Sequence, residues 1–435
     1  MTPFDIGLLS LLAMGVAVMA GLFVPIALMV TSFVGVWAIK GSPDLAAKLL
    51  ALAANDAISS YFFGVVPLFV LMGFVVSEAG FGRDAFDVAN AMFRRLKGGL
   101  GVSTVGANAI FAAITGISIA SAAVFTKIAV PQMMRHGYNP RFAVGVVAGS
   151  SVLGMMIPPS LLLILFGILA EQSIGDLFIA GIGPGLLLAL FFSLGIVAMA
   201  IFTPRFVGNP DAVDEDAIPP GDLLAKGLPI AGLITLVLGG IYSGVFTPVE
   251  AGAMGAIGAL VLGFAMRRLT LRSLWTVLVE TGLVTATVCF LIIAAQMYSR
   301  MLALSGLPAG LGGLAAHAEL GYWGLILIYC AIVIAMGMIL DSSSIMLILV
   351  PLMLPVVIPM GIDLVWFGIV TVLAVEIGLL TPPFGISVYV IKATLDDPSI
   401  SLGDIFRGAA PFAGIMLIVL ALVIAFPVIA TGLVP

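Results

Sequence analysis

Apolar runs of roughly 18 to 25 residues recur from one end of the chain to the other, each long enough to cross about 30 Å of hydrocarbon as a helix. The pattern predicts an all-α polytopic membrane protein. One stretch departs from it: FGRDAFDVANAMFRRLKGG sets Phe86, Ala89, Met92, Phe93 and Leu96 at helical spacing with charges opposite, which predicts an interfacial amphipathic helix over 82–98. Such a helix is either an arm joining a stationary scaffold to a moving part or a simple surface anchor. Composition agrees: of 435 residues, 62% are hydrophobic and 9% charged, and mean hydropathy is +1.28, against about 25% charged in soluble domains. The first run, FDIGLLSLLAMGVAVMAGLF, carries Asp5 where a signal peptide has a lysine and lacks a small-residue cleavage site, so it reads as a retained helix.

Two apolar runs contain adjacent prolines, GMMIPPSLLLILFG and GLLTPPFGISVY. Proline has no N–H and clashes with the preceding turn, so both pairs predict a broken helix. A single offset pairs Pro158–Pro159 with Pro382–Pro383, Gly154 with Gly378, Gly137 with Gly361, Pro131 with Pro355 and Ser118 with Ser342. This shared order of helix-breaking residues predicts two repeats, 1–205 and 226–435, joined by an acidic, proline-bearing linker at 206–225. Arg and Lys cluster at 94–97 and again at Lys127, Arg135 and Arg141, so the segment 103–135 is expected as a re-entrant hairpin opening to the cytoplasm. Its counterpart at 325–360 has Glu319 and Asp363 at its flanks and is expected to open outward. With MRRLTLRS at the inner end of a second-repeat helix, the repeats have opposite topology, with both termini outside. Each repeat then has its own broken helix, at 140–170 and 364–392. Inverted repeats with interrupted helices mark the binding site of a secondary transporter, where unwound carbonyls hold a cation and helix N-termini attract an anion.

Other chemistries find little support. No GxxxxGK[ST] loop exists, so ATP is not the expected energy source; His136 and His317 lack metal-site spacing; and no serine has a positioned base. Cys289 and Cys330 lie in apolar runs and read as core residues. The net charge of −5, without a basic stripe, gives no sign of nucleic acid.

TGISIASAAVFTKIAVPQMMRHGY, GSSVLGMMIPPSLLLILFG, GVFTPVEAGAMGA, GMILDSSSIMLILVPLMLP and EIGLLTPPFGISVYV, taken in order, resemble the large membrane subunit of tripartite ATP-independent periplasmic (TRAP) transporters over almost the whole chain. The first stretch departs from the commoner hairpin form, with Ile117 and the Thr126–Lys127 pair in place of paired serines and a later glycine. The resemblance implies an elevator-type, Na⁺-driven importer of an organic acid in the bacterial or archaeal inner membrane. It also implies a small four-helix membrane subunit and a periplasmic substrate-binding protein as partners. A stand-alone Na⁺/dicarboxylate symporter is the alternative, and an ion channel a more distant one.

On this reading the first Na⁺ site comprises Thr115, Gly116, Ser118, Ser150 and Gly154, and the second Asp341, Ser342, Ser344, Gly378 and Thr381, since Na⁺ as a hard cation takes hydroxyl and carbonyl oxygens. Substrate is expected between the hairpin tips, on Ser118, Ser121, Ser342, Ser343 and Thr381. Each serine has a plainer role as helix glue. Asp341 is either a ligand or an N-cap, and Glu376 either pairs within the bundle or takes part in coupling. Lys127 reads as a hairpin-base or snorkelling residue. Thr247, Pro248 and Glu250 are assigned to scaffold or subunit contact.

Overall fold

The protein is seen in a computed structural model that describes residues 1–208, 219–310, 313, 321–395 and 397–434. Its helices are α1 (Pro3–Met19), α2 (Val24–Lys40), α3 (Pro43–Ser59), α4 (Val65–Glu78), α5 (Phe81–Phe93), α6 (Gly99–Thr115), α7 (Ser118–Arg135), α8 (Pro140–Ser151), α9 (Leu153–Met156), α10 (Leu161–Ala170), α11 (Ile174–Phe202) and α12 (Pro204–Val207). There follow α13 (Pro220–Ile234), α14 (Gly240–Tyr242), α15 (Pro248–Ala265), α16 (Leu271–Ser305), α17 (Tyr322–Gly337), α18 (Ser342–Val357), α19 (Leu364–Leu380), α20 (Ile386–Thr394), α21 (Leu402–Ala425) and α22 (Val428–Thr431). A π-helical turn, Thr235–Gly239, joins α13 to α14. Among the described residues the only β contact is an isolated bridge between Tyr138 and Gly208. The all-α membrane fold read from the hydrophobic pattern is the fold observed.

Local chemistry sets many helix starts. Thr2 with Asp5, Thr247 with Glu250, and Ser401 with Asp404 form reciprocal capping boxes that satisfy orphan backbone donors. Thr247, Pro248 and Glu250 thus begin a helix, and the Tyr61 hydroxyl lies 3.0 Å from Thr247 Oγ1. The amphipathic segment is shorter than expected. Its helix ends at Phe93, not at 98, where the chain passes into turns; Gly98, with a left-handed φ of +73°, then precedes α6, which begins at Gly99 and so lengthens the first hairpin beyond its expected start at 103. The second hairpin runs from Tyr322 to Val357 rather than over 325–360, and α20 carries the second broken helix on to Thr394. Helix α13 begins at Pro220, inside the stretch read as linker, because proline suits the first helical turn; residues 209–218 of that stretch, with His317 and Glu319, lie outside the described residues.

Helices α2, α3, α4, α15 and α16 pack on one another, while α6 to α11 pack with α17 to α21. The broken helix Pro140–Ala170 is the innermost: 94% of its most apolar stretch is buried, against 22–44% for the five other long apolar helices. Helix α19 is similarly enclosed, with every residue from Trp366 to Leu380 buried. Helices α1 and α11 instead leave Leu8, Leu12, Val16, Leu186, Leu190 and Leu194 exposed, as befits helices whose solvent is hydrocarbon. Cys289 and Cys330 are buried free thiols. The two halves approach closely where α8 crosses α21: a Cβ on Gly145 would stand 2.1 Å from the Gly408 carbonyl oxygen, so only small residues permit the approach. At the end of that contact Arg141 Nε donates to Asp404 Oδ1 at 2.6 Å.

The amphipathic helix α5 is bent 68° from α4. Asp84, almost fully buried, pairs with Arg268, whose guanidinium lies 5.7 Å from the centre of the Phe81 ring. Asp87 accepts from Lys226 Nζ at 2.7 Å. Its polar face therefore meets Lys226 within α13 and Arg268 just after α15.

Candidate functional site: two hairpin tips around a buried carboxyl

Both proline pairs break their helices. Helix α9 stops at Met156, Ile157 is extended, and Ser160 restarts the chain as N-cap of α10, accepting from the Leu163 N–H at 3.3 Å. In the second half α19 stops at Leu380, Thr381 is extended, and α20 begins after Gly385. Each break is fastened to its own hairpin turn by one backbone hydrogen bond. The Leu161 N–H donates to the Gly116 carbonyl at 3.1 Å, and the Phe384 N–H donates to the Met338 carbonyl at 3.1 Å.

The first tip is TGIS. Gly116 ends α6 in the left-handed region (φ +66°), and a Cβ there would meet the Pro159 carbonyl oxygen at 2.2 Å, so both conformation and space demand glycine. Gly154 faces the same turn, with Ile117 and Ser118 backbone atoms 3.1 Å from where its Cβ would be. Thr115, Gly116, Ser118 and Gly154 are thereby brought together. A cavity of about 10 Å³ is lined here by Thr115, Gly116, Ile117 and Pro159 together with Phe69 and Val70 of α4. Ser150 lies one turn earlier and is engaged elsewhere: its Oγ donates to the Val146 carbonyl at 2.7 Å and accepts from Asn108 Nδ2 at 2.8 Å. Asn108 escaped the sequence reading. Its signal was the one carboxamide in its helix, and among the described residues its buried Oδ1 has no hydrogen-bond partner.

The second tip is DSSS. Asp341 is the N-cap of α18: Oδ2 accepts from the Ser344 N–H at 3.1 Å and Oδ1 from the Ser344 hydroxyl. Ser342 and Ser344 are buried and Ser343 half-buried. Gly378 packs directly on Gly337, whose Cα would be 2.5 Å from a Cβ at 378. Thr381 Oγ1 donates to the Ile377 carbonyl at 2.7 Å. Pro158 and Pro159 are buried whereas Pro382 and Pro383 are exposed, so the two breaks differ in access.

Between the tips lies Glu376. It is 1% exposed, and among the described residues neither carboxyl oxygen has a hydrogen bond of good geometry. Ser118 from the first tip and Ser342 from the second both stand beside this carboxyl. Among the described residues the buried Ser118, Ser121 and Ser387 hydroxyls make no hydrogen bond of good geometry, Ser387 lying at the start of α20. Helix α20 packs along α7. Two helix N-termini, a carboxyl and the hydroxyls of Ser118 and Ser342 thus converge from residues more than two hundred positions apart. Lys127 is exposed, away from this centre.

The sequence profile of the tripartite ATP-independent periplasmic transporter, DctM component, matches residues 6–429. The chain is 33% identical over 393 residues to the C4-dicarboxylate TRAP transporter large permease protein DctM of Pseudomonas aeruginosa, covering 90% of each. It is 33% identical over 368 residues to the sialic acid TRAP transporter large permease protein SiaM of Vibrio cholerae, covering 83% of each. It is 31% identical over 366 residues to the ectoine TRAP transporter large permease protein TeaC of Halomonas elongata, covering 84% of each. Among solved structures, the YdaH transporter of Alcanivorax borkumensis superposes with a TM-score of 0.59 at 17% identity over 90% of each chain, a likeness of fold.

Proposed function

The chain belongs to the DctM family of tripartite ATP-independent periplasmic transporters, and from that premise we propose that it couples Na⁺ entry to import of an organic acid by an elevator movement of the tip-bearing helices. It is a multi-pass inner-membrane permease and not an enzyme. Within a tripartite system its partners are a small four-helix membrane subunit and a periplasmic binding protein that delivers the substrate. C4-dicarboxylate, sialic acid and ectoine, named for the three relatives above, each carry a carboxylate, and isethionate, named for another relative, is a sulfonate, which favours an organic-acid cargo here.

The observation that carries this reading is the approach of Ser118 and Ser342, one from each hairpin tip, to a single buried group. Helices α7 and α18 both begin there, so their N-terminal dipoles and free N–H groups favour an anion between them. The unwound segments at 157–160 and 381–385 free carbonyl oxygens for hard monovalent cations. Thr115, Gly116, Ser118 and Gly154 are the proposed first Na⁺ site, with Ser150 and Asn108 behind it. Asp341, Ser342, Ser344, Gly378 and Thr381 are the proposed second, in which Asp341 also caps α18. Substrate is held by Ser118, Ser121, Ser342, Ser343 and Thr381.

Uptake of labelled C4-dicarboxylate or sialic acid into proteoliposomes, with the cognate small subunit and binding protein, tests the proposal. Replacing external Na⁺ by choline is expected to abolish accumulation. Uptake unchanged in choline overturns Na⁺ coupling, and full uptake by this chain alone replaces the tripartite arrangement with a stand-alone symporter.

A further inference from the structure

Where α1 runs past the second hairpin, the two leave a gap. A groove of about 160 Å³ lies between them, with Met14, Val18 and Met19 of α1 on one side and Met336, Leu340 and Ile348 of the hairpin on the other. Every residue that lines it is apolar. Water needs several polar partners to stay in such a space, whereas an apolar cavity of this size stays dry and takes up hydrocarbon. Gly15 lines the groove too, and a Cβ built there would meet nothing within 4 Å. Glycine weakens a helix relative to alanine, and no neighbouring protein atom requires it here. Its missing side chain keeps the groove wide.

The surroundings decide the occupant. No charged residue lies between Asp5 and Lys40, and Leu12, Val16 and Met19 of α1 are exposed, as is Ile339 beside the groove, so its mouth opens on hydrocarbon. The three methionines are unbranched and adaptable, which suits a flexible chain. Helix α1 packs on α2 and α16; the hairpin packs on α10 and α19 and, through α18, on α16. The groove therefore lies on the seam between the two groups of helices, immediately before Asp341. We propose that it is a binding site for one acyl chain of a membrane phospholipid, which fills the seam between α1 and the second hairpin tip. Recognition is by apolar contact alone, so the chain and not the headgroup is what the site selects. On the elevator reading proposed above, a fluid chain lets the tip slide past α1 without prying apart packed protein surfaces; binding of the chain does not depend on that reading.

Photolabelling of the full chain in vesicles of phosphatidylethanolamine and phosphatidylglycerol tests the site, the probe being phosphatidylcholine with a diazirine midway along one acyl chain. Peptide mapping after irradiation is expected to place adducts on Met14, Val18, Met19, Met336 and Leu340 that reach a plateau as the probe fraction rises. Adducts on the exposed Leu186, Leu190 and Leu194 of α11 should instead rise in proportion to the probe. Gly15→Leu, which fills the groove, is expected to remove the first set and leave the second unchanged. If that variant does not accumulate, Val18→Phe fills the same space from the adjacent turn, and the plateau in the wild type decides without any variant. Groove adducts that rise in proportion to the probe, or that persist at the wild-type level in a folded filling variant, overturn the site, since they report ordinary contact with the bilayer. The labelling needs neither Na⁺ nor substrate, so failure of Na⁺-dependent uptake leaves it unaffected and the two proposals fail separately.

Discussion

Gly116 shows how a single residue positions the first tip. Its left-handed φ and the Pro159 carbonyl only 2.2 Å from a prospective Cβ leave no room for a side chain. Gly116→Ala is expected to destabilise the protein by about 2 kcal/mol or more, through strain at a special φ and loss of the Leu161 hydrogen bond. A lowered midpoint of thermal unfolding in detergent checks it; a midpoint equal to wild type contradicts the tight contact. Ser342 and Thr381 act differently, since neither is needed for backbone geometry. As ligands of the proposed second Na⁺ site each hydroxyl contributes roughly 1–2 kcal/mol, so Ser342→Ala and Thr381→Ala should each raise the Na⁺ concentration for half-maximal uptake by about tenfold with expression unchanged. Unaltered Na⁺ dependence in both variants moves the second ion site elsewhere.

Among the elements, α5 has the plainest mechanical role. Sequence periodicity marked it as amphipathic, yet its polar face is partly occupied: Asp84 meets Arg268 and Asp87 meets Lys226. The Asp84 carboxylate is the more buried of the two, so Asp84→Ala strands a partly enclosed guanidinium. Its expected cost is about 2 kcal/mol, between the ranges for exposed and buried pairs, while Asp87→Ala should cost about 0.5 kcal/mol. Thermal unfolding of the two variants, with Arg268→Ala closing a double-mutant cycle, measures the difference. Equal costs would mean that burial does not set the strength of these pairs. Because Asp84 lies in the first turn of α5 and Arg268 also reaches the Ala79 carbonyl, the pair ties the junction of α4 and α5 to the chain beyond α15.

For the whole molecule the consequential boundary lies between α4 and the first tip. Gly73 of α4 faces Thr115, with the Thr115 Cα 3.5 Å from a Cβ built at 73. An elevator movement of the tips must separate this pair. Gly73→Cys with Thr115→Cys is expected to form a disulfide that stops uptake, and reduction should return uptake to the level of the Thr115→Cys single variant. Unimpeded uptake by the cross-linked protein would rule out motion at this boundary.

Much of this architecture was legible residue by residue. Proline pairs break helices wherever they fall, glycine and serine or aspartate begin and end them, and long apolar runs must lie in lipid or in the interior; these are local properties, so the sequence by itself determined the all-α membrane fold, the two breaks and the two turns at TGIS and DSSS. The amphipathic helix ends sooner than its pattern implies, because the chain passes into turns from Arg94 while the charged pattern runs on to Lys97. Only the tertiary structure decided which distant groups meet: Ser118 and Ser342 at Glu376, Asn108 at Ser150, Asp84 at Arg268. Packing sets those meetings, since in an almost uniformly apolar chain the side chains that face inward and those that face lipid look alike until the helices are assembled.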